Sequence, residues 1–198
     1  MNIGEILSSI NRFDLIVVLF LFGMFVLGYI QGTIRRILGI GSMLFAFLVA
    51  ANLRDPLGSY LAVNWNNFPA EYAAMLGFAI VFVGMTIIFT VAIEAFYHKQ
   101  ALFKDATWAD DLIGGVLGVV QGMFLIGFII MILDSFYRIP TIPISGGEFP
   151  WLRAFWDTMD PSGTAQVFRS SLIPGFISVF GLLLPDNLKA FYVTVIPR

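Results

Sequence analysis

The sequence predicts an all-α membrane protein with four transmembrane helices and a C-terminal amphipathic or re-entrant helical tail. Three observations predict it. Of 198 residues, 59% are hydrophobic and only 12% charged, and the mean hydropathy is +0.88. The apolar residues fall into four long uncharged runs. After Leu133 the pattern breaks into prolines, glycines and short apolar pieces. A soluble domain is nearer half apolar and a quarter charged, so this chain carries more apolar surface than one core can hide.

The uncharged runs are residues 15–34, 37–53, 72–93 and 112–133, spanning 20, 17, 22 and 22 residues. A helix needs about 20 residues to cross a ~30 Å hydrocarbon layer, so the second run sits at the short edge and the others fit. The expected spans are about 14–34, 37–53, 70–94 and 111–134, forming a four-helix domain over 1–137, with an interfacial or re-entrant tail over 138–198. The first span has no basic segment ahead of it and no small-residue cleavage site after it, and is read as retained.

Arg35 and Arg36 allow only a tight connection between the first two spans. Residues 54–72, with Pro56, Gly58, Asn66, Asn67 and Pro69, read as an outer loop, Pro69 suiting the first turn of the third span. Residues 98–111 read as the opposite loop. Lys99 and Lys104 lie there, on the same side as Arg35 and Arg36. The first span has one arginine before it and two after it. The positive-inside rule then places 35–36 and 98–111 in the cytoplasm and both termini outside it.

In the tail, "WLRAFWDTM" sets Trp151, Phe155 and Met159 at helical spacing with Arg153 and Asp157 opposite, which predicts an interfacial helix with aromatic anchors. In "SSLIPGFISVFGLLLPDNL" the prolines 174 and 185 bracket only ten residues. That is too short to cross, so a re-entrant or surface-lying segment is expected, with a fifth span as the alternative.

Helix glycines cost ~1 kcal/mol each in water, but in lipid small residues let helix backbones approach closely. Gly114, Gly118 and Gly122 recur every four residues along the fourth span, and Gly28 and Gly32 repeat the spacing at the end of the first. They read as packing surface, within one subunit or between copies. Asp110 and Asp111 stand where the fourth helix is expected to begin, which suits capping and the helix dipole; a proton or cation site is the sharper alternative. Gln121 lies ten residues inside that helix, roughly 15 Å deep, and should face protein or water rather than lipid. Glu94 lies near the inner end of the third span. "GYIQG" (28–32) and "GVVQG" (118–122) repeat one G-x-x-Q-G element around Gln31 and Gln121.

With no cysteine, the chain has no disulfide, thiolate zinc site or thiol nucleophile. A net charge of −2 offers no basic field for nucleic acid. His98 is the only histidine and reads as solvated at a membrane border. No nucleophile elbow, zinc-protease or phosphate-loop motif is present, and no cluster has metal-ligand spacing. No catalytic residue, metal or cofactor is expected.

At these residues the chain resembles the colicin V production protein family of bacterial inner-membrane proteins. That family has an Asp ahead of its first helix, R-G-x-x-R-E at the end of that helix, D-R-x-x-G-x-x-x-G-x-x-R-G opening the fourth, and S-x-x-x-P near the C-terminus. Asp14, Gly32 and Arg35, then Asp110, Gly114, Gly118 and Gly122, match in order, and "RSSLIPGF" (169–176), with Ser171 and Pro174, resembles the last element. The departures are in charge: Gln31 and Gln121 replace arginines, Arg36 replaces the Glu, and Asp111 replaces an Arg. The exchanged signs at 36 and 111 fit either independent drift or an ion pair between two side chains that face each other at the cytoplasmic border. The resemblance implies a four-helix inner-membrane protein linked to colicin V production or export and to envelope upkeep, with no established chemistry.

The reading is therefore a non-enzymatic, multi-pass inner-membrane protein. Its expected partners are the lipid bilayer and further copies of itself or other envelope proteins, not nucleic acid. The alternative is a small channel or transporter with a polar path near Gln31, Glu94 and Gln121, drawing on Asp14, Arg35, Arg36, Asp110 and Asp111.

Overall fold

A computed structural model describes residues 11–64, 69–96, 102, 106–138 and 148–194. Their regular elements are all helical. His98, Lys99 and Lys104, the expected breaks at Asn66 and Asn67, and the proline-rich stretch 139–147 lie outside the described residues.

Helix α1 is Arg12–Gln31, opened by Asn11, whose side chain accepts the Phe13 N–H. It presents Leu15, Ile16, Val18, Leu19 and Phe22 outward, as a lipid-facing helix should. It ends in a single-residue turn. Gly32 adopts φ 80°, and its N–H bonds the Gly28 carbonyl, a left-handed stop that glycine adopts without steric cost. Helix α2, Thr33–Asn64, starts at the next residue. Arg35 and Arg36 therefore lie in its first turn rather than in a loop, because one glycine suffices to reverse the chain.

Helix α2 also runs 11 residues past its expected end at 53, through Arg54, Asp55 and Pro56. Pro56 forfeits one N–H bond, but the flanks hold the helix in place. Arg54 donates to the Ser135 carbonyl at 3.3 Å. Gly58 packs so closely on helix α3 that a Cβ there would lie 2.6 Å from the Ala74 Cα. Helix α3 is Ala70–Phe96; Pro69 immediately precedes it, its carbonyl accepting the Ala73 N–H. Helix α4, Thr107–Tyr137, begins four residues before its expected start. Ala106 therefore takes the cap position expected of the aspartates, while Asp110 lies in the first turn, where the helix dipole still favours a negative charge, and Asp111 follows it.

The long helices pair as α1 with α4 and α2 with α3, with α2 also lying against α4. The core is aromatic. Phe47 of α2 stacks on Phe128 of α4 with centroids 3.9 Å apart, and Phe78 and Phe82 of α3 close around Phe47 at 5.3 and 5.9 Å. Phe176 from the tail meets both Phe47 and Phe128.

Tail helix α5 is Pro150–Met159. Met159 is fully buried while Trp151 and Phe155 remain exposed, so the expected aromatic face is split between protein and surroundings. Next come helix α6 (Gly163–Val167), a π-helical turn (Phe168–Leu172), helix α7 (Ile173–Phe180) and a 3₁₀ turn (Gly181–Leu183), following one another without a break. Pro174 does not interrupt them. In a regular α-helix its ring would strike the Ser170 carbonyl, and the wider π turn at that point relieves the clash.

Residues Gly163–Leu183 form a fifth helix long and apolar enough to cross a membrane, at a mean hydropathy of 1.4 over its best window. The contacts trace another course. The helix starts on Asp14 at the beginning of α1, which accepts the N–H groups of Gly163 (3.1 Å) and Thr164 (2.8 Å). Its middle lies on Gly127, Phe47 and Phe128. Its end meets Asn52 through the Leu183 carbonyl, and Asn187, in the final helix α8 (Asp186–Thr194), bonds Asp55 at 2.8 Å. Asp14, Asn52 and Asp55 all belong to the half of the bundle where α1 begins and α2 ends. Both ends of this helix therefore rest against the same half.

Candidate functional site

The glycines expected to pack do so, between α1 and α4 of one chain. A Cβ on Gly28 would strike the Gly114 carbonyl, and one on Gly118 would strike the Met24 carbonyl. A Cβ on Gly114 would lie 2.5 Å from the Gly28 oxygen and 2.8 Å from the Gly32 carbonyl carbon. Gly122 accommodates Leu21 and Met24. Backbone lies on backbone along this seam, and only glycine permits that approach. Gly127, read from the sequence as lying off the groove, faces the tail, with Phe168 3.3 Å from where its Cβ would be.

At the end of the bundle where α1 turns into α2, the structure brings together most of the polar residues picked out from sequence. Gln31, Arg35, Arg36, Glu94 and Gln121 line a cavity of about 160 Å³ with Leu27, Gly39, Thr90 and Ile93. The Gly32 turn places Arg35 and Arg36 there. Arg35 forms an ion pair with Glu94 of α3. Arg36, only 5% exposed, donates from Nη1 to the Gln121 Oε1 at 2.7 Å. Gly39 makes room for that amide, since a Cβ there would lie 2.9 Å from the Gln121 Nε2.

The expected Arg36–Asp111 ion pair does not form; the hydrogen-bond partner of Arg36 among the described residues is Gln121. The physical reason is reach. The Arg36 side chain meets Gln121, ten residues further along α4 than Asp111. The resemblance puts a Glu at position 36 and an Arg at position 121, so the two positions that meet here are both ones at which the charge departs from the family's, with an arginine and a neutral amide standing where the family has an acid and a base. Asp110 is almost fully buried. Its carbonyl accepts the Thr33 hydroxyl at 2.9 Å and its carboxylate accepts the Leu102 N–H at 3.2 Å. It ties the loop before α4 to the α1–α2 turn.

A second polar cluster joins the tail to α4, and the sequence reading missed it. Asp134, with no exposed surface, accepts from Arg169 Nε at 2.8 Å and from Nη2 at 2.5 Å. Arg169 Nη1 reaches Asp160 at 2.8 Å, and the Tyr192 hydroxyl lies 3.4 Å from Asp134. Burial, then the neighbouring carboxylate, hold the Tyr192 phenol well above its usual range, so it remains a neutral donor. Of the tail motif, Ser171 is exposed and Pro174 follows the π turn; the side chain that works is Arg169, two positions before Ser171. Ionisable residues bordering apolar runs in a membrane chain merit attention by default, and that signal was available for both Asp134 and Arg169.

The two clusters are separated by packed rings. The polar cavity lies where α1 and α3 end, the Arg169 cluster where α4 ends, and Phe47, Phe82 and Phe128 fill the space between. Neither cluster presents an activated nucleophile beside a base. Among the described residues, no group of three or more His, Asp or Glu side chains could hold a metal ion.

The model of one family, described as colicin V production protein, matches residues 13–179. No curated protein and no solved structure matches the chain.

Proposed function

Because the chain belongs to the colicin V production protein family, we propose that this membrane protein supports the production or secretion of a colicin V-type toxin, or envelope upkeep, from the bacterial inner membrane. It acts by packing and assembly, without catalysis. The observation that carries this reading is the use of its polar groups. Arg35 with Glu94, Arg36 with Gln121 and Asp14 with the tail are held within the chain, and stacked phenylalanines fill the middle of the bundle. Meanwhile few residues of α1 and α3 are buried, and exposed side chains such as Leu19, Phe22, Ile87 and Ile88 are available to lipid, further copies or other envelope proteins. Cells lacking the protein should release less colicin V-type peptide at unchanged peptide synthesis. The wild-type chain should restore release. Unchanged release without the protein would remove this reading.

The orientation follows from the basic residues. The α1–α2 turn and the loop before α4 face the cytoplasm, both termini face outward, and the tail lies at or dips into the outer interface. Leu102→Cys should resist an impermeant thiol reagent in intact cells, while Asp157→Cys should label. The opposite pattern would invert the topology.

A further inference from the structure

Two arginines are buried among the described residues, and they are treated differently. Arg169 meets two carboxylates. Arg36, 5% exposed, meets none within the described chain; its Nη1 bonds an amide, and its Nε is buried without a hydrogen-bond partner. A guanidinium cannot shed its proton, and a charge withdrawn from water without a counter-charge costs several kcal/mol. Arg36 lines the cavity of about 160 Å³ described above, large enough for more than one water. The formal charge of its lining is +1, two arginines less Glu94. The first turn of α2, which carries both arginines, adds the positive end of a helix dipole.

We infer that this cavity binds a phosphate-class oxyanion, with Arg36 as its principal ligand. A guanidinium offers paired donors at the spacing of phosphate oxygens. Gln31 lines the same cavity, where its side-chain amide can add a donor. Leu27 and Ile93 give one side an apolar wall. The anion is either the phosphodiester of an anionic lipid or soluble phosphate, since the site sits where three helices turn or end and headgroups meet water. This inference does not depend on the proposed role in toxin production.

The test uses the full chain in phosphatidylcholine nanodiscs, read by its thermal unfolding midpoint. Inorganic phosphate is titrated in one arm, and phosphatidylglycerol replaces part of the lipid in the other. One of the two should raise the midpoint: phosphate alone identifies a soluble ligand, phosphatidylglycerol alone a lipid. Arg36→Gln should weaken the effect at least roughly tenfold, Arg36→Lys should retain part of it, and Arg12→Gln, exposed at the other end of α1, should leave it intact. Glu94→Gln raises the site's charge and should tighten binding about threefold to fivefold. No rise in either arm, or a rise unchanged by Arg36→Gln, would overturn the inference. Should Arg36→Gln not fold, Glu94→Gln decides alone, and an unchanged affinity there overturns it.

Discussion

Arg169→Met is expected to destabilise the protein by about 3–5 kcal/mol and to release the tail from the bundle. The cost comes from what is left behind. Asp134 has no exposed surface and receives two of its hydrogen bonds from the Arg169 guanidinium, so removing the partner strands a buried carboxylate. Replacing both members with apolar residues removes the stranded charge, and Arg169→Met with Asp134→Leu should recover much of the loss. Thermal unfolding in detergent measures the stability, and proteolysis of the segment after Met159 reports the tail. A single variant as stable as the wild type, or a double variant no better than the single, would show that the pair does not hold the tail.

Gly118→Leu is expected to cost about 3 kcal/mol or more, at the upper end of overpacking penalties. Its side chain would enter the space occupied by the Met24 carbonyl, and rigid backbone cannot yield as a side-chain end can. The α1–α4 seam would have to open along its length. Gly23→Leu and Gly41→Leu are the matched controls, because a Cβ on either meets nothing within 4 Å; both should stay within about 0.5 kcal/mol. Gly127→Leu should fall between, as it displaces only the Phe168 ring. Equal stability of Gly118→Leu and Gly23→Leu would remove the seam from the account.

The sequence was legible where a single residue's chemistry decides the outcome. Uncharged runs located the four long helices, because lipid admits few charges over that length. Four-residue glycine spacing marked the seam, and Gln31, Arg35, Arg36, Glu94 and Gln121, singled out as polar residues in apolar surroundings, share one cavity. Helix ends were less legible. Arg54, Asp55 and Pro56 look like a loop, yet α2 continues because contacts with α3 and α4 hold it there. The Arg169–Asp134 pair spans 35 residues of sequence, and the facing of 36 and 121 spans 85. Such meetings are set by how helices dock, and no local pattern encodes them. The tail shows the same limit, since Pro174 signals a break and only the π turn, a property of the folded backbone, explains why none occurs.

We propose that this protein works by assembly and does not conduct. Ion flux through proteoliposomes holding the purified chain tests it most directly. With the polar cavity closed off by Phe47, Phe82 and Phe128 from the cluster around Asp134, flux should match that of empty liposomes. It should stay there when Gln121→Leu removes the Arg36 partner. Flux above that of empty liposomes, abolished by Gln121→Leu or by Arg36→Gln, would contradict the claim and establish a conducting path through the bundle.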